Sequence, residues 1–254
     1  MTWSAQQYSK FEQQRTRPVI DLVAAIPTRE VRTAVDLGCG PGNSTEVLAA
    51  QFPQALVSGL DSSDDMLVSA RERLPGVGFE QADIATWSPG KTFDVILANA
   101  SLQWVPEHAT LYPRLVSLLT PGGSLAVQTP DNLEEPAHRL ARQVAAEGPW
   151  ASTIGAVKHP ERHGATFYYE LLQGHCSSVD VWRTTYHHPL EGGAAAVVEW
   201  FKGSALRPYL EPLGAEDKAA FLARYLALIS EAYPALADGT VLLPFPRLFV
   251  VATR

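Results

Sequence analysis

The chain has 254 residues, 46% of them hydrophobic, and 20 Lys plus Arg against 27 Asp plus Glu leave a formal charge of −7. That balance excludes a non-specific nucleic-acid wrapper, which needs a basic surface, and no window holds the roughly 18 uninterrupted apolar residues of a membrane span. The start, Met1 to Gln7, lacks the basic-then-apolar layout of a signal peptide, and two cysteines, Cys39 and Cys176, cannot frame a disulfide scaffold, so a reducing, cytoplasmic setting is expected.

Residues 1–30 read as an amphipathic entry helix that Pro27 ends, with Val19, Leu22, Val23 and Ile26 on its apolar face. An alternation of strands and helices follows. Strands are predicted at 33–37, 55–60, 78–82, 93–98 and 124–128. Helices are predicted at 44–52, 64–74 and 107–119, and Pro121-Gly122-Gly123 is read as a breaker. Such alternation implies βαβ units and a mostly parallel sheet with helices on both faces. From about residue 130 the pattern turns helical over 132–176 and 191–237, interrupted by a strand at 179–186 and followed by another at 246–252. The expected organisation is a core over 1–130, helical lid insertions at 131–178 and 190–240, and closing strands at 179–189 and 241–254.

The most informative motif is Asp36-Leu37-Gly38-Cys39-Gly40-Pro41-Gly42-Asn43, set between a strand and a helix, where glycine permits tight turning and close ligand approach. A dinucleotide fingerprint G-x-G-x-x-G would place glycine where Asn43 stands, and its absence counts against a dehydrogenase. Asp36 beside the loop suits a ligand with a cationic group better than a pyrophosphate. Asp61 lies at the end of the second strand, where an acid can accept both hydroxyls of a ribose. Asp83 ends the third strand and can accept from an exocyclic amine, with Ile84 placed to pack on a base; Asn99 ends the fourth. Taken singly, an Asp at a strand end is more often a helix cap. Taken in order, these positions open on one edge of the sheet, where open α/β sheets bind ligands.

This series resembles the S-adenosylmethionine-dependent class I methyltransferases. The resemblance implies a seven-stranded, mostly parallel Rossmann-like sheet with a helical lid inserted in the C-terminal half. It also implies S-adenosylmethionine as cofactor, leaving as S-adenosylhomocysteine. Carried over residue by residue, the cofactor set is Asp36, Gly38, Cys39, Gly40 and Asn43 at the loop, Asp61, Ser62 and Met66 at the ribose side, Asp83 and Ile84 at the adenine, and Asn99 with Ala100 at the fourth strand.

Further segments, Asn99 to Pro106, Ala126 to Asn132, Val181 to Tyr186, Leu206 to Pro208 and Phe245 to Phe249, resemble the methyltransferases that act on trans-aconitate. This implies methyl transfer to a carboxylate of a tricarboxylate. A carboxylate is already ionised at neutral pH, so no general base is expected and the enzyme's task is positioning for in-line displacement. A trianion needs cations, and the chain carries 15 Arg against 5 Lys. Arginine's planar fork binds carboxylates in two places. The candidates are Arg15, Arg17, Arg183, Arg207 and Arg247, with Arg183 and Arg207 the first choices; each reads equally well as a surface or structural arginine. Trp3, Tyr8, Gln103, Trp104, Tyr186 and Tyr209 complete the expected acceptor pocket, and the aromatics among them read equally as core. The 7 histidines show no ligand spacing, so no metal is expected. The expected partner is a small tricarboxylate, with no nucleic acid and no membrane, for a monomer or dimer. Two alternatives stay open: a methyltransferase for another acid, amine or phenol, and a non-catalytic S-adenosylmethionine-binding protein.

Overall fold

A computed structural model describes residues 12–157 and 161–254. Helices are α1 (Glu12–Ala24), α2 (Asn43–Gln51), α3 (Asp64–Arg73), α4 (His108–Ser117), α5 (Pro136–Glu147), α6 (Ala151–Ile154), α7 (Ala165–Leu172), α8 (Gly193–Lys202), α9 (Arg207–Leu210) and α10 (Ala215–Ala232). Strands are β1 (Thr33–Leu37), β2 (Leu56–Asp61), β3 (Gly78–Gln81), β4 (Phe93–Asn99), β5 (Leu119–Pro130), β6 (Ser178–Leu190) and β7 (Val241–Thr253). They form one seven-stranded sheet in the order β3-β2-β1-β4-β5-β7-β6. The pairs from β3 through β5 are parallel, and β7 runs antiparallel to β5.

The central strands show why the sequence folds this way. In β1 and β4, Ala34, Val35, Leu37, Val95, Ile96, Leu97 and Ala98 are all buried, as expected of parallel strands covered on both faces. The chain divides into two compact units. The first comprises Met1–Pro130, Pro160–Thr184 and Arg247–Arg254; the second comprises Asp131–His159 and Thr185–Pro246.

In the first unit, Tyr112 and Leu115 of α4 pack with Val127 of β5, Val250 of β7, and Tyr168 and Leu172 of α7. The chain from 161 to 178, expected to belong with the lid, therefore sits with the sheet. In the second unit, α10 buries Phe221, Tyr225 and Ile229, and α5 buries Ala137, Ala141 and Val144. Two tyrosines secure that packing: the Tyr225 hydroxyl donates to the Ala137 carbonyl at 2.9 Å, and the Ala137 amide donates to the Tyr233 hydroxyl at 3.0 Å.

Two strands begin well ahead of the sequence pattern. Strand β5 begins at Leu119 instead of Ser124, because a register shift between the Phe93 and Val95 pairings lets Pro121, Gly122 and Gly123 sit within the strand. Strand β7 begins at Val241, ahead of its two prolines. No helix among the described residues is long and apolar enough to cross a membrane.

Candidate functional site

A cavity of about 760 Å³ opens at the C-terminal edge of β1, β2 and β4, within the first unit. Its volume is that of a drug-sized ligand site. The loop after β1 forms its floor. Gly38 has φ +71°, and a Cβ there would stand 2.4 Å from the Ser101 Cβ. Both facts demand glycine. Ser101 in turn donates to the Leu37 carbonyl at 2.6 Å, so the β1 and β4 ends are tied together beneath the site. Gly40, also left-handed at φ +53°, has nothing within 4 Å of its would-be Cβ. Its backbone is therefore bare toward the cavity.

Asp61 ends β2 with both carboxylate oxygens anchored. Oδ2 accepts the Gly40 amide at 2.9 Å and Oδ1 accepts the amide of Ser63, the N-cap residue of α3, at 2.9 Å. Asp61 is thus partly the helix cap that its position alone suggests, and it still faces the cavity. Ser62 and Met66 line the same wall. In the turn after β3, Asp83 Oδ1 accepts the Ala85 amide at 2.9 Å, and Ile84 is buried at the cavity wall. Asn99 and Ala100 close the far side. Ala100 is left-handed at φ +53° although it has a Cβ, a conformation of the strained kind that clusters at ligand sites. The Asn99 Oδ1 is buried with no hydrogen-bond partner.

Gly38, Cys39, Gly40, Asn43, Asp61, Ser62, Met66, Asp83, Ile84, Asn99 and Ala100 all line this one cavity. Asp36 does not. It is fully buried, and its Oδ2 accepts from the Ser44 and Thr45 hydroxyls of α2, each at 2.7 Å. Burial, against those two hydrogen bonds, lifts its carboxyl to about 6. Its position places it under the loop, as an internal brace instead of a wall. Burial also raises the Cys39 thiol, so this cysteine is a packing residue of the floor.

The expected S-adenosylmethionine fits this arrangement. Two carboxylates suit a diol and an exocyclic amine, an orphaned buried acceptor at Asn99 suits a cationic amine, and a bare glycine loop admits close approach.

The acceptor candidates scatter. Trp3 and Tyr8 lie outside the described residues, and so does the Arg15 side chain. Trp104, half exposed, lines the cavity mouth. Gln103 is buried beside it and donates from Nε2 to the Ala100 carbonyl at 2.6 Å. Arg17 on α1 and Arg183 on β6 are exposed. Arg247 is buried on β7, and its Nη1 donates to Gln128 Oε1 at 2.7 Å. Gln128 pairs in register with Asn99, and its backbone carbonyl accepts the Ala100 amide at 2.8 Å. Its Nε2 is buried without a hydrogen-bond partner.

In the second unit, Tyr186 and Tyr209 are buried, and Tyr209 stacks against Phe221 with centroids 6.0 Å apart, as a core residue does. Arg207 donates to Glu211, the C-cap of its helix, at 2.5 and 3.0 Å.

Sequence reasoning missed several supporting residues. Arg162 donates to the Gln103 carbonyl at 2.7 Å, and His108, its imidazole pKa lowered by burial, bonds the Leu102 carbonyl at 2.9 Å and the Tyr168 hydroxyl at 2.8 Å. These two side chains hold the turn that carries Trp104. Only Ser44 and Thr45 had a legible signal: hydroxyls in the first turn of a helix that follows a buried acid.

A family profile described as a methyltransferase domain matches residues 34–123. The chain is 56% identical to a trans-aconitate 2-methyltransferase of Methylobacterium nodulans, covering 99% of this chain and 98% of the relative. It is 50% identical to that of Rhizobium rhizogenes over the full length of both. Among solved structures it resembles the YcgJ protein of Bacillus subtilis (TM-score 0.60, 11% identity, 94% of this chain and 98% of that one). It also resembles a coclaurine N-methyltransferase bound to N-methylheliamine and S-adenosylhomocysteine (TM-score 0.55, 16% identity, 94% and 72%).

Proposed function

The chain belongs to the trans-aconitate 2-methyltransferase family, and from that membership we propose that it methylates a carboxylate oxygen of trans-aconitate. It is an S-adenosylmethionine-dependent O-methyltransferase. The observation that carries the substrate is the identity of 50% or more along the whole chain, including the segments outside the cofactor half.

When bound, S-adenosylmethionine supplies an electrophilic methyl group and leaves as S-adenosylhomocysteine. The chain's residues divide the remaining work. Asp61 takes the ribose hydroxyls with the oxygen lone pairs left over from Gly40 and Ser63. Asp83 and Ile84 take the adenine, and Asn99 Oδ1 takes the cationic amine. No side chain acts as a base, since the acceptor oxygen is already an anion at neutral pH.

For the acceptor, the geometry supports Arg247 ahead of Arg183 and Arg207, the choices the sequence favours. Arg247 is a buried cation at the same sheet edge as Asn99, joined to it through Gln128. A buried guanidinium beside an orphaned amide donor is a suitable cradle for a carboxylate. Trp104 and Gln103 wall the entrance, with Arg17 and Arg183 as outer cations. Tyr186, Arg207 and Tyr209, candidates by residue type, belong to the second unit, where Tyr209 packs as core and Arg207 pairs with Glu211. The proposed compartment is the cytoplasm, and the proposed partner is a small tricarboxylate, with no nucleic acid, in keeping with a net charge of −7.

Incubation with labelled S-adenosylmethionine and a panel of di- and tricarboxylates, followed by mass spectrometry of the ester, tests this. Label in a trans-aconitate monomethyl ester is expected. Label in another acid alone would replace the substrate.

A further inference from the structure

We propose that Arg114 is the positioning residue of the adenine subsite, setting the chain's preference for an aminopurine from outside the cavity. Arg114 sits on α4 and reaches the turn that follows β3. Its Nη1 donates to the Trp87 carbonyl at 2.7 Å, and its Nη2 donates to the carbonyls of Ile84 at 2.6 Å and Ala85 at 3.3 Å. One guanidinium therefore gathers three carbonyls of a four-residue stretch. The same stretch is closed from its other end by Asp83: its side chain accepts the Ala85 amide at 2.9 Å, and its carbonyl accepts the Trp87 amide at 2.8 Å.

Asp83 and Ile84 are the two residues of this turn that line the cavity. Arg114 lines none of it, yet it fixes the backbone that carries both. A backbone turn with several carbonyls converging on one point is self-repelling unless a cation with matching donors sits there. The planar fork of arginine spans the 84 and 87 carbonyls together, whereas a lysine ammonium is a single point on a flexible stem. A loosened turn would let the Asp83 carboxylate rotate away from the exocyclic amine and would lower Ile84 from the base plane.

The inference rests on the assignment of Asp83 and Ile84 to adenine. The test keeps the two claims apart. Calorimetric titration of the full chain, as wild type, Arg114→Lys, Arg114→Ala and Asp83→Ala, would use three ligands. These are S-adenosylhomocysteine, S-inosylhomocysteine, whose base lacks the amine, and S-ribosylhomocysteine, which lacks the base. Arg114→Ala is expected to weaken S-adenosylhomocysteine about tenfold or more, the scale of a hydrogen bond to a charged group. Its preference for adenine over hypoxanthine is expected to fall towards one, with S-ribosylhomocysteine unchanged and Arg114→Lys in between. If Asp83→Ala loses the preference while both Arg114 variants keep it, the role of Arg114 is overturned. Equal weakening of all three ligands would overturn it as well, leaving a structural arginine. If Asp83→Ala keeps the wild-type preference, the adenine assignment itself fails. Arg114→Lys retains the charge, so it keeps the test decisive should Arg114→Ala not fold.

Discussion

The Gly40 amide donates to Asp61 Oδ2 across 2.9 Å, which makes the loop after β1 and the end of β2 one hydrogen-bonded piece. The acid that is to receive the ribose is thereby positioned by the loop that is to receive the methionine end. In the proposed assignment, the two halves of the cofactor meet residues 21 positions apart that share one contact.

Replacing Asp61 tests that coupling. Asp61→Ala removes the ribose acceptor and the anchor of Gly40 together, so its effect should exceed that of a single hydrogen bond. S-adenosylhomocysteine affinity, measured by calorimetry, is expected to fall by about 100-fold, two charge-assisted bonds of roughly 1.5 kcal/mol each. A loss of less than threefold would remove Asp61 from the site.

Gly38→Ala meets two obstacles, the left-handed φ of +71° and a Cβ only 2.4 Å from that of Ser101. Chemical denaturation is expected to show a loss of roughly 2–4 kcal/mol, combining backbone strain with overpacking. Adding Ser101→Gly removes the clash and leaves the strain, so the double variant should recover part of the loss. No recovery would mean that the dihedral alone sets the requirement.

Arg247→Met separates the acceptor from the cofactor. The KM for trans-aconitate is expected to rise at least tenfold, while the Kd for S-adenosylhomocysteine stays within about twofold, because Arg247 is absent from the cavity wall and each charge-assisted bond is worth about 1.5–3 kcal/mol. Unchanged KM in Arg247→Met alongside raised KM in Arg183→Ala would move the anchor to β6.

Asp36 gives a pH signature. Burial lifts its carboxyl from 3.8 to about 6, so the folded chain holds the proton more tightly than the unfolded chain. The contribution of this group to stability is complete below pH 3.8 and is lost as the pH rises through about 6. The difference corresponds to roughly 3 kcal/mol. Urea midpoints taken between pH 4 and 7 should therefore decline more steeply for the wild type than for Asp36→Asn, whose amide oxygen can still accept from Ser44 or Thr45. Parallel slopes would place the titration elsewhere.

The first half of the fold was legible because it is written in local signals. Strands β1, β2 and β4 are short apolar runs ended by a glycine, an acid or an asparagine, and β3 is the weaker signal between them; the boundaries of all four fell within a residue of those expected. Strand β5 escaped because Pro121-Gly122-Gly123 reads as a breaker, and only the pairing with β4 reveals the bulge that accommodates it. The placement of α7 escaped for a related reason. The burial of Tyr168 and Leu172 depends on a surface made by α4, β5 and β7, which no pattern within 165–172 describes. In the site, residue types at strand ends were readable, but the direction in which a side chain turns was not. Asp36 turns inward because two hydroxyls wait for it on α2, and Arg247 is buried because Gln128 lies across the β5–β7 pairing.

The antiparallel return of β7 has a consequence for biosynthesis. Strands β1 to β4 pair with partners made within about 60 positions of them, so they can assemble as they leave the ribosome. Strand β5 finds its second neighbour only when Ser124 meets Thr253, 129 residues later. Until then a 12-residue strand with six consecutive buried positions from Ser124 to Thr129 stands uncovered on one side. A nascent chain stalled before residue 241 would thus carry a finished cofactor cavity beside a bare hydrophobic edge, the condition in which chaperone capture and edge-to-edge aggregation compete.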